Sequence, residues 1–179
     1  MKLILLIFTL LNPIYSFNTF VPSIKPKLSI NKIQNNILID IIQEPQLPIA
    51  LSVNTGLAIL GEYKNQTSLT KDGLLNACFL GVILMGYGGI ESWLICVFYF
   101  IIGSLATKLK MDYKEKMGIA QSRGGRRGPE NVWGSAGIGA LCILLFYITS
   151  NEVFKLAYIS SIATKTSDTV ASEIGKSYG

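Results

Sequence analysis

The chain has 179 residues, 50% hydrophobic and only 15% charged, with a formal net charge of +5. Soluble domains carry about 25% charged residues, so this composition points to an integral membrane protein. There is no histidine, which removes Ser-His-Asp and Cys-His catalysis. Cys78, Cys96 and Cys142 stand singly in apolar runs without a CxxC pair, which speaks against zinc.

The N-terminus reads as an address. Met1 and Lys2 precede "LILLIFTLL", an apolar core too short to span a bilayer, and Ser16 stands where cleavage would fall. That layout predicts a secretory signal peptide over residues 1–16. Residues 17–44 carry Lys25, Lys27 and Lys32 with no acidic residue before Asp40, as a disordered transit-peptide-like leader does. Phe17 at the new N-terminus resembles the two-part leaders of algae whose plastids came from a red alga, so the expected location is a plastid envelope. The alternative is an ordinary signal sequence followed by a disordered linker.

Uncharged runs cover residues 45–61, 73–90, 92–107 and 131–151. A helix crossing the hydrocarbon needs about 20 residues, with roughly 17 as the lower limit. Gly88 and Gly89, followed by Glu91, predict a tight turn between the second and third runs. Gly134, Gly137 and Gly139 predict close packing of the fourth.

The fifth segment, residues 154–175, has helical spacing yet carries Lys155, Lys165, Asp168 and Glu173. Ser161, Lys165, Asp168 and Ser172 share one face, with Thr169 beside it and Glu173 farther round. Ionisable residues at membrane depth are a functional hypothesis by default. The other reading is that Lys165 and Asp168 simply pair near the headgroups. The fold class is therefore all-α: a polytopic membrane helical bundle over residues 45–179, with about five transmembrane helices.

Of 16 Lys and Arg, seven fall between Lys108 and Arg127, against only Asp112 and Glu115 in that span. Nucleic-acid binding needs a larger basic surface with base-reading groups, so no nucleic-acid partner is expected. A basic loop stays on the cytoplasm-equivalent side. Alternating crossings bring the 62–72 loop to that side, together with the end of the fifth helix and its carboxylates.

"QSRGGRRGPENVWGS" (121–135) suits an anion. Gly124, Gly125 and Gly128 can expose N–H groups to phosphate oxygens. Arg123, Arg126 and Arg127 add bidentate donors. Asn131 is expected to cap the fourth helix, whose N-terminus also favours an anion. Carboxylates opposite would repel phosphate without a hard cation between them, so Mg2+ is expected, on Asp168 and Glu173 with Thr169 or Ser172 completing its shell. Asp168, Glu173 and Lys165 are the candidate catalytic residues. Arginine loops also bind lipid headgroups. "GKS" at 175–177 lacks the earlier P-loop glycine, because Val170 stands there, and the Asn65 "NQT" sequon falls on the non-lumenal side.

The stretches "TKLKMDYKEKMGIAQSRGGRRGPENVWGSAGIGA" and "ATKTSDTVASEIGKSYG", in this order between hydrophobic spans, resemble the phytyl-phosphate kinase and transmembrane protein 19 family over about residues 45–179. The family's basic motif falls on Arg123 to Gly128 with Glu130 and Asn131, and its acidic motif on Asp168, Thr169, Ser172 and Glu173. The resemblance implies a membrane-embedded phosphotransferase that converts phytyl phosphate to the diphosphate with a nucleoside triphosphate, feeding tocopherol and phylloquinone synthesis. Family members continue beyond the acidic motif, so residues 45–179 are expected to be the N-terminal part of a longer domain. The isoprenoid tail is expected to stay in lipid between helices, needing no large soluble pocket. The rival readings are a lipid-binding or transport membrane protein, and an inactive fragment.

Overall fold

A computed structural model describes residues 44–64 and 68–179. The expected signal peptide and almost all of the expected leader lie outside the described residues, as does the Asn65 sequon.

Among the described residues five helices and one 3-10 turn follow one another: α1 (Leu47–Lys64), α2 (Lys71–Lys108), α3 (Met111–Lys116), the turn Arg123–Gly125, α4 (Pro129–Thr149) and α5 (Glu152–Tyr178). Among the described residues the only β pairing is an isolated bridge between Leu69 and Arg127. The starts and stops follow local chemistry. The Thr70 hydroxyl accepts from the Gly73 amide at 3.1 Å and caps α2. Ser150 takes a left-handed conformation at φ 54° to end α4, and Asn151 caps α5 by accepting from the Val153 amide at 3.0 Å. At the start of α4 the cap is Gly128, with Pro129 in the first position, rather than Asn131. Proline suits that position because its missing N–H would have had no helical partner. Asn131 lies inside the first turn, and its amide donates to the Gly128 carbonyl at 3.0 Å.

α2 is a hairpin. Gly89 breaks it with φ 79° and ψ 175°, a backbone that favours glycine. In a straight helix Gly73 and Gly103 would stand about 45 Å apart, yet both lie against Arg127, one at its carbonyl and the other at its guanidinium. The segments 71–88 and 90–108 therefore run antiparallel, as the Gly88–Gly89 pair predicts. Together with α1, α4 and α5 they make five long helical segments.

Leu80, Leu84, Tyr99, Ala136, Ala140, Ile143, Tyr158 and Ile162 form the buried core between α2, α4 and α5. Gly139 is the close-packing glycine of α4: a Cβ there would lie 2.9 Å from the Tyr158 ring. Gly134 faces open space and Gly137 meets only Trp133 of its own helix, so the expected three-glycine seam reduces to one contact. The outer surface is apolar, with Ile59 65%, Phe98 62% and Ile138 68% exposed. Such a surface belongs against lipid. α2 and α4 are each long and apolar enough to cross a membrane. The protein is a helical membrane bundle.

Its two ends differ. The Gly89 and Ser150–Asn151 turns occupy one end. At the other, Thr70 N–H donates to the Arg127 carbonyl at 3.0 Å and Arg127 N–H to the Ser68 carbonyl at 2.9 Å. The Ser177 hydroxyl there donates to the Leu109 carbonyl at 3.2 Å. The 68–70 segment, the basic loop and the end of α5 thus meet at a single end.

Candidate functional site

The basic loop is held by a buried lysine. Lys114 is fully buried, and its Nζ donates to the carbonyls of Ala106 and Thr107, each at 3.2 Å. Those carbonyls belong to the last turn of α2, where the i+4 helical donors run out; the Ala106 carbonyl also accepts from the Leu109 N–H at 3.2 Å. The same ammonium meets Glu173 Oε2 at 2.7 Å, while Gln121 Nε2 donates to Glu173 Oε1 at 2.9 Å. Glu173 is therefore engaged on both oxygens by the loop. It acts here as a clamp between α5 and the end of α2.

Arg123, Gly124 and Gly125 follow with φ of 59°, 61° and 73°. Three successive left-handed residues make a tight turn that favours glycine at two of its positions. Gly125 also packs against Thr107, whose methyl would lie 3.0 Å from an added Cβ. The turn uses much of its own backbone. Gly125 N–H donates to the Ser122 carbonyl and Arg126 N–H to the Arg123 carbonyl, each at 3.2 Å. The amides of Gly125, Arg126 and Arg127 are thus bonded within the protein and not offered to an anion. Arg123 pairs with Glu130 at 2.8 Å on the surface. Gly128 leaves room for that pair, since a Cβ there would overlap both side chains. Arg126 is exposed.

Arg127 points inward. It is 6% exposed, with its guanidinium against Gly103 and 5.4 Å from the centre of the Tyr99 ring. No carboxylate among the described residues pairs with it. Burying a charge without a partner is costly; the cation–π contact offsets about 0.5–2 kcal/mol.

Two cavities meet at this guanidinium. One, of about 450 Å³, lies among α1, both arms of α2 and α4, and its walls are almost wholly apolar. The other, of about 200 Å³, is polar and is lined by Gln121, Glu130, Asn131, Lys165 and Thr169 among others. Tyr99, Arg127, Asn131 and Ser135 line both. Tyr99 and Ser135 are tied by a 2.8 Å hydrogen bond. The expected place for a tail between helices corresponds to a partly open apolar cleft that ends at a cation. Its shape suits an amphiphile with an anionic head.

α5 supplies the far wall. Lys165 and Thr169, one helical turn apart, both line the polar cavity. Asp168 meets Lys165 at 3.2 Å with its own side chain 63% exposed; Ser172 is exposed. Asp168 and Glu173 stand five positions apart, roughly 140° round the helix. The first faces water and the second is clamped by Lys114. Among the described residues no group of three or more metal-ligating side chains is assembled, and these two carboxylates do not fit a shared magnesium ion. Of the sequence-derived candidates, Arg127, Asn131, Lys165 and Thr169 come together. Arg123, Gly124, Arg126, Asp168 and Ser172 do not line the cavities, and Gly125, Gly128 and Glu173 act in the loop's architecture. Sequence reasoning missed Tyr99, Gln121, Ser135 and Lys114. Tyr99 carried a usable signal, because a tyrosine inside an apolar run needs a partner for its hydroxyl; Lys114 looked like any other loop lysine.

The sequence profile described as "Integral membrane protein DUF92" matches residues 54–179. The chain belongs to this integral membrane family. It is 39% identical over 140 residues to the chloroplastic protein VTE6 of Arabidopsis thaliana, covering 75% of this chain and 42% of that protein. An uncharacterized membrane protein of Synechocystis sp. is 41% identical over 133 residues, covering 73% and 52% of the two chains. Another, from Methanocaldococcus jannaschii, is 29% identical over 112 residues, covering 63% and 45%. No solved structure matches. The chain spans about half the length of the curated relatives it matches. The family is the one that the two polar motifs resemble.

Proposed function

We propose that this bundle binds an isoprenoid monophosphate, phytyl phosphate being the expected form, and serves its phosphorylation to the diphosphate by a nucleoside triphosphate. One observation carries the reading: Arg127 is buried, has no carboxylate partner among the described residues, and stands where an apolar cavity meets a polar one. The tail fills the apolar space and the phosphate meets the guanidinium, with Lys165 as a second cation. An oxygen of that phosphate attacks the terminal phosphorus of the nucleotide. The bond to the neighbouring bridging oxygen breaks, and the nucleoside diphosphate leaves. Such transfers ask little covalent chemistry of the protein; positioning and charge stabilisation dominate.

Arg127 orients the acceptor, and the apolar walls keep water from its tail. Lys165 neutralises charge on the transferred group, and Thr169 offers a hydroxyl beside it. Magnesium entering with the nucleotide would supply further charge neutralisation; Asp168 is the exposed carboxylate nearest to Lys165 that remains open to it. A plastid membrane is the proposed location, supported by similarity to a chloroplastic relative and by the basic leader. Its two-part, red-algal form and a role in tocopherol and phylloquinone synthesis belong to the same proposal. The exposed Arg126 and surface Arg123 favour a second reading, in which the loop reads anionic headgroups without turnover.

The test is nucleotide-dependent diphosphate formation from phytyl monophosphate in liposomes. Arg127→Met should lose it while the protein inserts normally. Undiminished turnover in that variant, or binding of anionic lipid with no nucleotide consumption by the wild type, would end the kinase reading.

A further inference from the structure

The apolar cavity has a floor as well as a mouth. Arg127, Asn131 and Ser135 stand at the mouth. Toward the Gly89 turn its walls pass Leu80 and Cys96 and reach Leu84 and Trp93, the lining residues of the two α2 arms closest in sequence to that turn. Leu84 is fully buried. Trp93 Nε1 donates to Asn54 Oδ1 of α1 at 3.0 Å, and Asn54 Nδ2 donates to the Ala50 carbonyl at 2.8 Å. Asn54 is only 6% exposed. A buried amide is costly in apolar surroundings unless bonded, and here both of its polar atoms are bonded. Gly81 on the facing arm makes the room, since any Cβ there would overlap the Asn54 amide. A bonded tryptophan–asparagine pair thus bridges α1 and α2 at the end of the cavity nearest the Gly89 turn. Such a bond holds the large indole in one orientation, where an aliphatic wall could repack around a longer guest.

We propose that the Trp93–Asn54 pair is a ruler that limits the length of the isoprenoid tail the cavity accepts. This rests on the reading of the cavity as an isoprenoid site and assigns the residue that selects among isoprenoids. The mouth fixes the phosphate at Arg127, so tail length decides how far the end reaches toward the indole. One competing route is built into the walls: Leu57 and Ile101 also line the cavity and are 49% and 50% exposed on the outer surface. A tail leaving between them into lipid would not be measured at all.

The experiment compares binding of geranyl, farnesyl, geranylgeranyl and phytyl monophosphates to the full chain in detergent, with diphosphate formation followed in parallel. Trp93→Ala lowers the floor and should shift the binding preference toward longer tails. Ala77→Phe, at a lining position of the first α2 arm, should shift it toward shorter ones and removes nothing from the core if Trp93→Ala does not fold. A single methylene in an apolar pocket discriminates by about 10- to 200-fold, so a whole isoprene unit should change the long-to-short ratio by at least about tenfold. Unchanged ratios in the folded variants overturn the ruler and point to exit past Leu57 and Ile101. A wild-type chain that binds none of the four probes overturns the isoprenoid reading itself. Shifted binding without any diphosphate overturns the phosphoryl transfer and leaves the ruler standing.

Discussion

Lys114 and Arg127 lie in the same basic loop, and both are buried, yet they are opposites. Lys114 spends its charge inside the protein, on Glu173 and two carbonyls at the end of α2. Arg127 has its backbone fastened on both sides to the 68–70 segment, while its side chain lines two cavities and no carboxylate among the described residues pairs with it. Burial alone therefore does not mark a site. A buried charge with partners welds elements together, whereas a buried charge without them leaves room for a ligand's opposite charge.

The largest effect should come from breaking the partnered cation. Lys114→Met strands a buried carboxylate, and breaking a buried pair from one side costs about 3–5 kcal/mol. Thermal unfolding in detergent should show that loss, and Lys114→Met with Glu173→Leu should recover most of it, because two apolar groups can replace a buried pair. Failure of the double substitution to recover stability would mean that the contacts of Lys114 with the α2 carbonyls matter more than the pair.

Arg127→Met should behave in the reverse way. Stability should hold, since no ion pair is lost, but affinity for isoprenyl monophosphate should fall. Hydrogen bonds to charged groups contribute about 1.5–3 kcal/mol each, so the fall should be roughly ten- to a hundredfold. Equilibrium binding measures it, and Arg127→Lys should be intermediate because the bidentate fork is lost while the charge stays. Equal destabilisation of Lys114→Met and Arg127→Met would erase the contrast between the two cations.

Asp168→Asn separates structure from chemistry on α5. Its pair with Lys165 is mostly exposed, and such pairs contribute about 0–1 kcal/mol, so folding should be nearly unchanged. If Asp168 meets nucleotide-borne magnesium, turnover should drop and recover partly at raised magnesium. A magnesium titration of diphosphate formation decides this, and a flat response removes Asp168 from the metal. The smallest effect belongs to Arg123→Ala. It breaks a surface pair with Glu130, worth at most about 1 kcal/mol, and should leave binding of isoprenyl monophosphate close to the wild-type value.

Much of the frame was legible in the residues themselves. Apolar runs of spanning length, a double glycine at the α2 turn and a concentration of positive charge in one loop depend only on local composition and on the energetics of lipid contact. They forecast a helical membrane bundle with its polar groups gathered at one end. Helix caps were read less well: proline at its first position starts α4 after Gly128, although Asn131 carried the conventional capping side chain. What sequence could not sort was direction. Three arginines within five residues have the same chemistry on paper, and only the turn at Arg123–Gly125 sends Arg127 inward and leaves Arg126 outside. Helical spacing already put Glu173 farther round than Asp168, but only the position of Lys114 shows that Glu173 is taken up by the loop. The apolar cavity and its Trp93–Asn54 floor join residues from α1 and both arms of α2. Those contacts exist only once the arms have folded against one another, because pairing across elements is set by packing and not by neighbouring residues.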